Sequence, residues 1–174
     1  WTLDALWWRV SRRNGDSALS EEDFEEAVQT TEEIDAGTPL DTRREVAMRT
    51  EQRFIRQQMF GAEPQAKCAI CGKAYPVEFL RAAHVKRRAE CTSEEKRDFR
   101  QNVVPMCTFG CDELFERGWI IVERGQVTKG RVGVLSDSVA AYIRSVEGRE
   151  CLPYYRGGGE YFDWHARAHV GSNV

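Results

Sequence analysis

The chain has 174 residues, of which 41% are hydrophobic and 30% are charged, a composition typical of a globular protein with one or two domains. Its longest apolar run, residues 139–143, is too short to cross a membrane, and its apolar start precedes the first basic residues, the reverse of a signal peptide. These features argue against a membrane span and against export, and they predict a cytoplasmic protein. Because the sequence begins with Trp1, we expect a domain of a longer protein.

The net charge of −3 hides a strong segregation of charge. Residues 16–35 hold nine acidic residues and no basic one, which leaves 25 basic against 19 acidic residues elsewhere, a net of +6. An anionic partner is therefore compatible with the rest of the chain. The acidic stretch would repel a duplex, so we expect it to form a solvated face, a dimer contact or a packing surface for an absent domain.

Residues 1–60 are predicted to form a helical segment, because apolar residues recur there at helical spacing. One helix is expected within residues 3–10, a second begins at the capping box of residues 20–23, and a third covers residues 42–60 and ends at Gly61. This segment is predicted to contact a second copy of the chain or an upstream domain.

Residues 61–174 are predicted to form a second domain, in which short strands, turns and cysteines replace the helical pattern. Apolar runs at residues 119–122 and 126–128 flank a turn that contains glycine, which predicts a β-hairpin. Ser136 is predicted to cap a helix that ends at Val146. The remaining tail has no regular period, and no element is predicted there.

Two closely spaced cysteine pairs stand out, Cys68 with Cys71 and Cys107 with Cys111. Together they predict one four-cysteine Zn²⁺ site, because thiolates select zinc and a closed tetrahedron of sulfur is typical of a structural site. Disulfides are less expected in a chain of this size. The alternative is that the four residues are buried free cysteines.

Other cysteines and histidines are candidate ligands as well. Cys91 lies between the pairs and could replace either cysteine of the second pair, whereas Cys151 is expected in the core. His165 and His169 are four residues apart and could share a helical face. Without a nearby acid or cysteine, such a pair is more often a surface or core feature than a metal site.

Three short motifs follow one another between and beside the cysteine pairs, at residues 80–86, 102–107 and 111–118. With the cysteines, they resemble the zinc-stapled HNH endonucleases over about fifty residues, in both order and spacing. The chain departs from the family pattern at Asp112, which stands where the family has its last histidine. Its second cysteine pair also has three intervening residues where the family has two.

The resemblance implies an α+β fold, in which a zinc-stapled ββα-metal core is combined with N-terminal helices and with a C-terminal hairpin and helix. It also implies an enzyme that hydrolyses DNA phosphodiester bonds, leaving a 5′-phosphate and a 3′-hydroxyl. The implied roles are general base for His84, orientation of the loop between the strands for Asn102, and binding of a catalytic Mg²⁺ or Mn²⁺ for Asp112. Glu116 falls at the acid of the family's third motif and is expected to be structural.

These residue types suit the chemistry. A neutral imidazole can take a proton from water near pH 7, and a divalent cation neutralises the scissile phosphate. A carboxylate such as Asp112 is a hard oxygen ligand, which suits Mg²⁺ or Mn²⁺. Lys86, Arg87 and Arg88 directly follow the proposed base, and they are predicted to clamp the phosphates of double-stranded DNA.

No element that reads bases is evident in the sequence. We therefore expect specificity to come from the tail, the N-terminal helices or an upstream specificity domain absent from this chain, as in a restriction or modification-dependent enzyme. A homodimer would allow both strands to be cut. Two alternatives stay open: a non-catalytic zinc module that binds DNA or protein, with Asp112 marking a lost ligand, and a toxin-like nuclease that acts on RNA or on any nucleic acid.

Overall fold

The computed structural model describes residues 19–35, 41–131 and 133–170. The helix predicted within residues 3–10 lies outside these ranges. The chain divides between Pro64 and Gln65 into two compact units. None of the described helices has the length and apolarity that a membrane span requires.

In its described residues, the first unit contains two helices, α1 (Glu21–Asp35) and α2 (Asp41–Phe60). At the start of α1 the backbone N–H of Ser20 donates to the Asp23 carboxylate at 2.7 Å, and the backbone N–H of Asp23 donates to Ser20 Oγ at 3.2 Å. This reciprocal pair is the predicted capping box, and it satisfies backbone donors that the first helical turn leaves without partners. After α2 the chain turns at Gly61, whose φ is +52°.

The two helices of the first unit pack through apolar side chains. The Phe24 and Phe54 rings stack with their centroids 4.8 Å apart, and Val28 and Ile55 are fully buried beside them. The acidic residues of the first two turns of α1 lie on its exposed face; they are Glu21, Glu22, Asp23, Glu25 and Glu26.

The described part of the second unit contains three antiparallel strand pairs and five helices. The pairs are β1 (Gln65–Lys67) with β2 (Ala74–Pro76), β3 (Leu80–His84) with β4 (Val103–Cys107), and β5 (Ile120–Glu123) with β6 (Gln126–Lys129). The helices are α3 (Ser93–Arg97), α4 (Phe99–Asn102), α5 (Cys111–Glu116), α6 (Asp137–Val146) and α7 (Gly159–Val170). The predicted α+β class, the β5–β6 hairpin and the α6 helix are confirmed.

The centre of this unit is the β3–β4 hairpin followed by α5. Leu80 pairs with Cys107 at one end of the hairpin, and His84 pairs with Val103 at the other. Gly110, at φ +138°, turns the chain from β4 into α5. The order strand, strand, helix is the ββα arrangement that the resemblance implies.

The tail for which the sequence predicted no element is a helix in the core. A distorted turn at Tyr154–Gly158, with Gly157 at φ +112°, leads into α7. This helix packs against β5 and buries Phe162 completely. The edge of the Phe162 ring meets the Phe115 ring of α5, with centroids 6.0 Å apart, so α7 is joined to the ββα centre.

Candidate active site

The four cysteines of the two predicted pairs converge in one cluster. All four are buried, and their Sγ atoms lie within 4.8 Å of one another. Zn–S bonds of about 2.3 Å would place the sulfurs of a tetrahedral site about 3.8 Å apart, so the cluster fits a Zn²⁺ ion with little adjustment. The predicted grouping of Cys68, Cys71, Cys107 and Cys111 is confirmed.

Local structure explains why these cysteines meet. A tight turn lets the backbone N–H of Gly72, at φ +67°, donate to the Cys68 carbonyl at 2.9 Å. Cys107 ends β4, and its N–H donates to Cys68 Sγ at 3.4 Å, while Cys111 begins α5. Tyr142 from α6 adds its hydroxyl 3.2 Å from Cys111 Sγ, a contact that sequence reasoning did not identify.

The remaining cysteines lie outside this cluster. The Cys151 thiol is fully buried, as expected of a core residue, and burial raises its pKa to about 11. Cys91 Sγ lies 3.2 Å from the side-chain nitrogen of Asn102. The Cys91 thiol therefore contacts Asn102 in the segment between β3 and β4 and is not part of the cysteine cluster. The rival assignment of Cys91 as the fourth zinc ligand is wrong.

His84 ends β3 at the edge of a cleft of about 550 Å³ that Asp112 also lines. Its Nε2 atom is buried and has no hydrogen-bond partner among the described residues. Burial, together with the positive charge of Arg88, lowers the pKa of this imidazole to about 4. The ring is therefore neutral at pH 7, the form that can accept a proton.

Asn102 is fully buried and immediately precedes β4. Its side-chain oxygen accepts a hydrogen bond from the backbone N–H of Lys86 at 2.8 Å, and its side-chain nitrogen donates to the Lys86 carbonyl at 3.4 Å. Its own carbonyl accepts from the N–H of Val85 at 2.8 Å. Asn102 thus holds the two residues that follow His84.

Asp112 lies in the first turn of α5 and faces β3. Its Oδ2 atom is 3.0 Å from Arg81 Nε, and 17% of its side chain is exposed. Burial raises the pKa of this carboxyl, Arg81 opposes that rise, and the charges of Glu116 and Glu113 add to it. A carboxylate in such acidic surroundings attracts a cation.

The three consecutive basic residues have different surroundings. Lys86 is nearly buried, and its Nζ lies 2.6 Å from the Glu95 carboxylate. Arg87 and Arg88 line the cleft beside His84, and Arg87 Nη2 donates to the backbone carbonyl of Glu116 at 3.1 Å. Of the three predicted phosphate contacts, Arg87 and Arg88 are therefore the ones at the cleft.

Arg81 and His165 also line the cleft, and sequence reasoning gave neither of them a role in it. Arg81, on β3, pairs with Asp112, and nothing in the sequence singled it out. His165 comes from α7, and its Nε2 lies 2.9 Å from the Phe115 carbonyl. The spacing between His165 and His169 was the only sequence signal for it, and that spacing favoured a core or surface residue. The structure places His165 in the core, only 2% exposed.

Comparison with known families identifies a segment of the second unit. Residues 68–123 fit the profile of a family described as HNH endonuclease. The matched segment contains both cysteine pairs together with His84, Asn102 and Asp112, and it ends well before α7. A search of curated proteins found no match. The resemblance inferred from the sequence is confirmed for this segment.

Proposed function

We propose that this protein, whose residues 68–123 have the HNH endonuclease pattern, is a metal-dependent DNA endonuclease that leaves 5′-phosphate and 3′-hydroxyl ends. The observation that carries the proposal is the environment of His84. Its buried Nε2 has no partner among the described residues, and it lies in a cleft shared with the Asp112 carboxylate and with three guanidinium groups. A ring nitrogen buried without a hydrogen-bond partner is costly unless a ligand or a water molecule supplies one.

In this mechanism His84 is the general base. Its lowered pKa keeps the imidazole neutral, so it can take a proton from the water that attacks phosphorus. The bond from phosphorus to the 3′ oxygen then breaks, and that oxygen is protonated by solvent. Asn102 restrains Val85 and Lys86 directly after the base, which limits the movement of His84 during proton transfer.

Asp112 is the proposed ligand of the catalytic cation, and its surroundings fit a hard divalent ion. The donor is a carboxylate oxygen, and Glu113 and Glu116 add negative charge to the same cleft wall. When bound there, Mg²⁺ or Mn²⁺ would neutralise charge on the scissile phosphate and on the leaving oxygen. Arg81 now pairs with Asp112, and with 68% of its side chain exposed it can turn towards a phosphate instead.

Phosphate binding is assigned to the basic residues that line the cleft. Arg87 and Arg88 flank the base, and guanidinium groups suit phosphate oxygens because they donate in a planar fork. Lys86 adds positive charge close behind them, although its ammonium group is paired with Glu95. These contacts position a backbone and carry no base specificity.

The cysteine cluster is proposed to hold a structural Zn²⁺, in a reducing cytoplasm where thiols persist. Restriction or modification-dependent cleavage would need a specificity element, which we assign to an upstream domain. The helical segment at residues 1–60 is proposed to contact that domain or a second copy of the chain. The exposed acids of α1 support this role, because they would repel DNA.

One observation favours a second candidate, a zinc module that binds nucleic acid without cutting it. The pairing of Arg81 with Asp112 neutralises the proposed metal ligand, as expected of a site that has no need for a cation. The two candidates differ in a single property, which is cleavage that depends on a divalent ion.

Nicking of supercoiled plasmid by the zinc-loaded protein tests the proposal. We expect conversion to open circles in Mg²⁺ or Mn²⁺, none in EDTA, and slower hydrolysis of folded RNA of equal length. Binding without cleavage under every metal condition would establish the zinc module instead. Faster cleavage of RNA than of duplex DNA would replace DNA as the substrate and indicate a toxin-like nuclease.

A further inference from the structure

Helix α7 brings a histidine into the cleft from outside the segment that has the HNH pattern. His165 lines the cleft together with His84 and Asp112. It is 2% exposed, and its Nε2 lies 2.9 Å from the backbone carbonyl of Phe115 in α5. The imidazole ring of His165 also stacks on the Phe115 ring almost in parallel, with centroids 3.7 Å apart and an interplanar angle of 8°.

The hydrogen bond defines the tautomer of His165. A carbonyl oxygen can only accept, so Nε2 carries the hydrogen and donates it. Burial lowers the pKa of this imidazole to about 3, and the ring is therefore neutral. Nδ1 is then an acceptor, and it is buried without a partner in the described part of the chain. His165 consequently has one directed bond, and that bond goes to α5.

Helix α5 depends on such contacts for its orientation. It has only six residues, Cys111–Glu116, too few to be stable by itself. Cys111 ties its first residue to the cysteine cluster. At its other end, the Phe115 carbonyl is held by His165 and the Glu116 carbonyl by Arg87. Asp112 lies between the attachment at Cys111 and the attachments at Phe115 and Glu116.

We propose that His165 is a positioning residue of the cleft, which fixes α5 through its bond to the Phe115 carbonyl and so sets the direction of Asp112. The inference rests on the proposed function, because it takes Asp112 to be the ligand of the catalytic cation. It extends the working site beyond residues 68–123 to α7. It also makes the C-terminal helix part of the catalytic unit.

Substitutions at His165 separate positioning from simple packing. His165→Gln keeps an amide N–H that can reach the Phe115 carbonyl, whereas His165→Phe keeps the ring stack and removes the donor. His165→Asn keeps an amide N–H, but its shorter side chain no longer reaches the Phe115 carbonyl. His169→Gln is the matched control, because His169 lies one turn further along α7 with its ring 4.5 Å from that of His165.

The measurement is Mn²⁺ binding to the zinc-loaded full chain, followed by the electron paramagnetic resonance signal of free Mn²⁺. We expect binding about tenfold weaker in His165→Phe and His165→Asn, the size of effect seen when groups that orient a metal ligand are lost. His165→Gln and His169→Gln should bind within about twofold of the wild type. Because Asp112 would be misdirected but still present, excess Mn²⁺ should restore nicking by His165→Phe.

Zinc content and thermal unfolding of each variant show whether the cysteine cluster and the core are intact. If His165→Phe does not fold, the comparison of His165→Asn with His165→Gln decides the question. Wild-type Mn²⁺ affinity in His165→Phe and His165→Asn, which both lose the bond to the Phe115 carbonyl, would overturn the inference and leave the proposed function standing. If the wild type does not bind Mn²⁺, both the inference and the proposed function are overturned, because Asp112 is then not the ligand of a catalytic cation.

Discussion

Acidification should destabilise this protein through His84 more than an exposed histidine would allow. Burial and the charge of Arg88 lower the pKa of His84 to about 4 in the folded protein, from an ordinary value of 6.5. The unfolded chain therefore takes up the proton first, and stability present above pH 6.5 is lost as the pH falls towards 4. With these two pKa values, one histidine contributes about 2 kcal/mol less stability at pH 5 than at pH 7.

Urea unfolding of the zinc-loaded protein at pH 7 and pH 5 measures this loss, with His84→Gln as the comparison. Zinc release and the titration of His165 affect both proteins, so they cancel when the two losses are subtracted. The wild type should lose about 2 kcal/mol more than the variant between these two pH values. Equal losses would refute the reasoning, since His84 would then titrate as an exposed imidazole does.

The same environment changes the expected pH dependence of cleavage. An unperturbed imidazole would be protonated below about pH 6, and activity would fall there. Because the pKa of His84 is about 4, the base stays neutral down to a lower pH. The fall of kcat/KM that is caused by protonation of His84 should therefore occur at about pH 4 and not at about pH 6.

Three further substitutions have defined outcomes. Cys68→Ser should lose zinc and unfold the core, because the binding energy of a structural zinc is largely folding energy, whereas Cys151→Ser should keep one zinc per chain by elemental analysis. Asp112→Ala should abolish nicking with zinc content unchanged, while Asp112→Asn should keep part of it because the amide oxygen still coordinates; full activity in Asp112→Ala would move the ligand elsewhere. Arg81→Gln should bind Mn²⁺ up to about fivefold more tightly, because it removes the exposed ion pair in which Arg81 competes with the cation for Asp112. The same variant should bind DNA more weakly. Unchanged affinities for both Mn²⁺ and DNA would show that Arg81 does not compete with the cation.

The parts of the site that the sequence predicted are those that depend on local spacing. The tight turn at Cys68 and Cys71, the end of β3 at His84 and the capped start of α6 each involve a few neighbouring residues. The sequence pattern also predicted that the two cysteine pairs meet. They do so because β3 and β4 are antiparallel, so the hairpin returns the chain to the end from which β3 starts.

The C-terminal part of the site could not be predicted in this way. The glycines at residues 157–159 interrupt the helical pattern just where α7 begins, so no regular period marks its start. The burial of His165 follows from its stack on Phe115, fifty residues earlier in the chain. Spacing within α7 carries no information about that contact.

The charge pattern of the sequence also could not show which basic residues are available to bind phosphate. In the sequence, Lys86 is equivalent to the two arginines that follow it. The structure separates them because Glu95, held by a capping box with Thr92, pairs with the Lys86 ammonium group. A run of like charges does not reveal which member has a partner on the next helix.

Single-turnover cleavage of an end-labelled DNA duplex by the wild type and by His84→Ala tests the central claim most directly. Both proteins should be matched in zinc content, and DNA affinity should be measured in parallel. We expect the wild type to cut in Mg²⁺ or Mn²⁺, leaving 5′-phosphate ends, and His84→Ala to bind DNA as tightly while cutting at least about a hundredfold more slowly. Equal cleavage rates for the two proteins would contradict the account, because the base would then lie elsewhere.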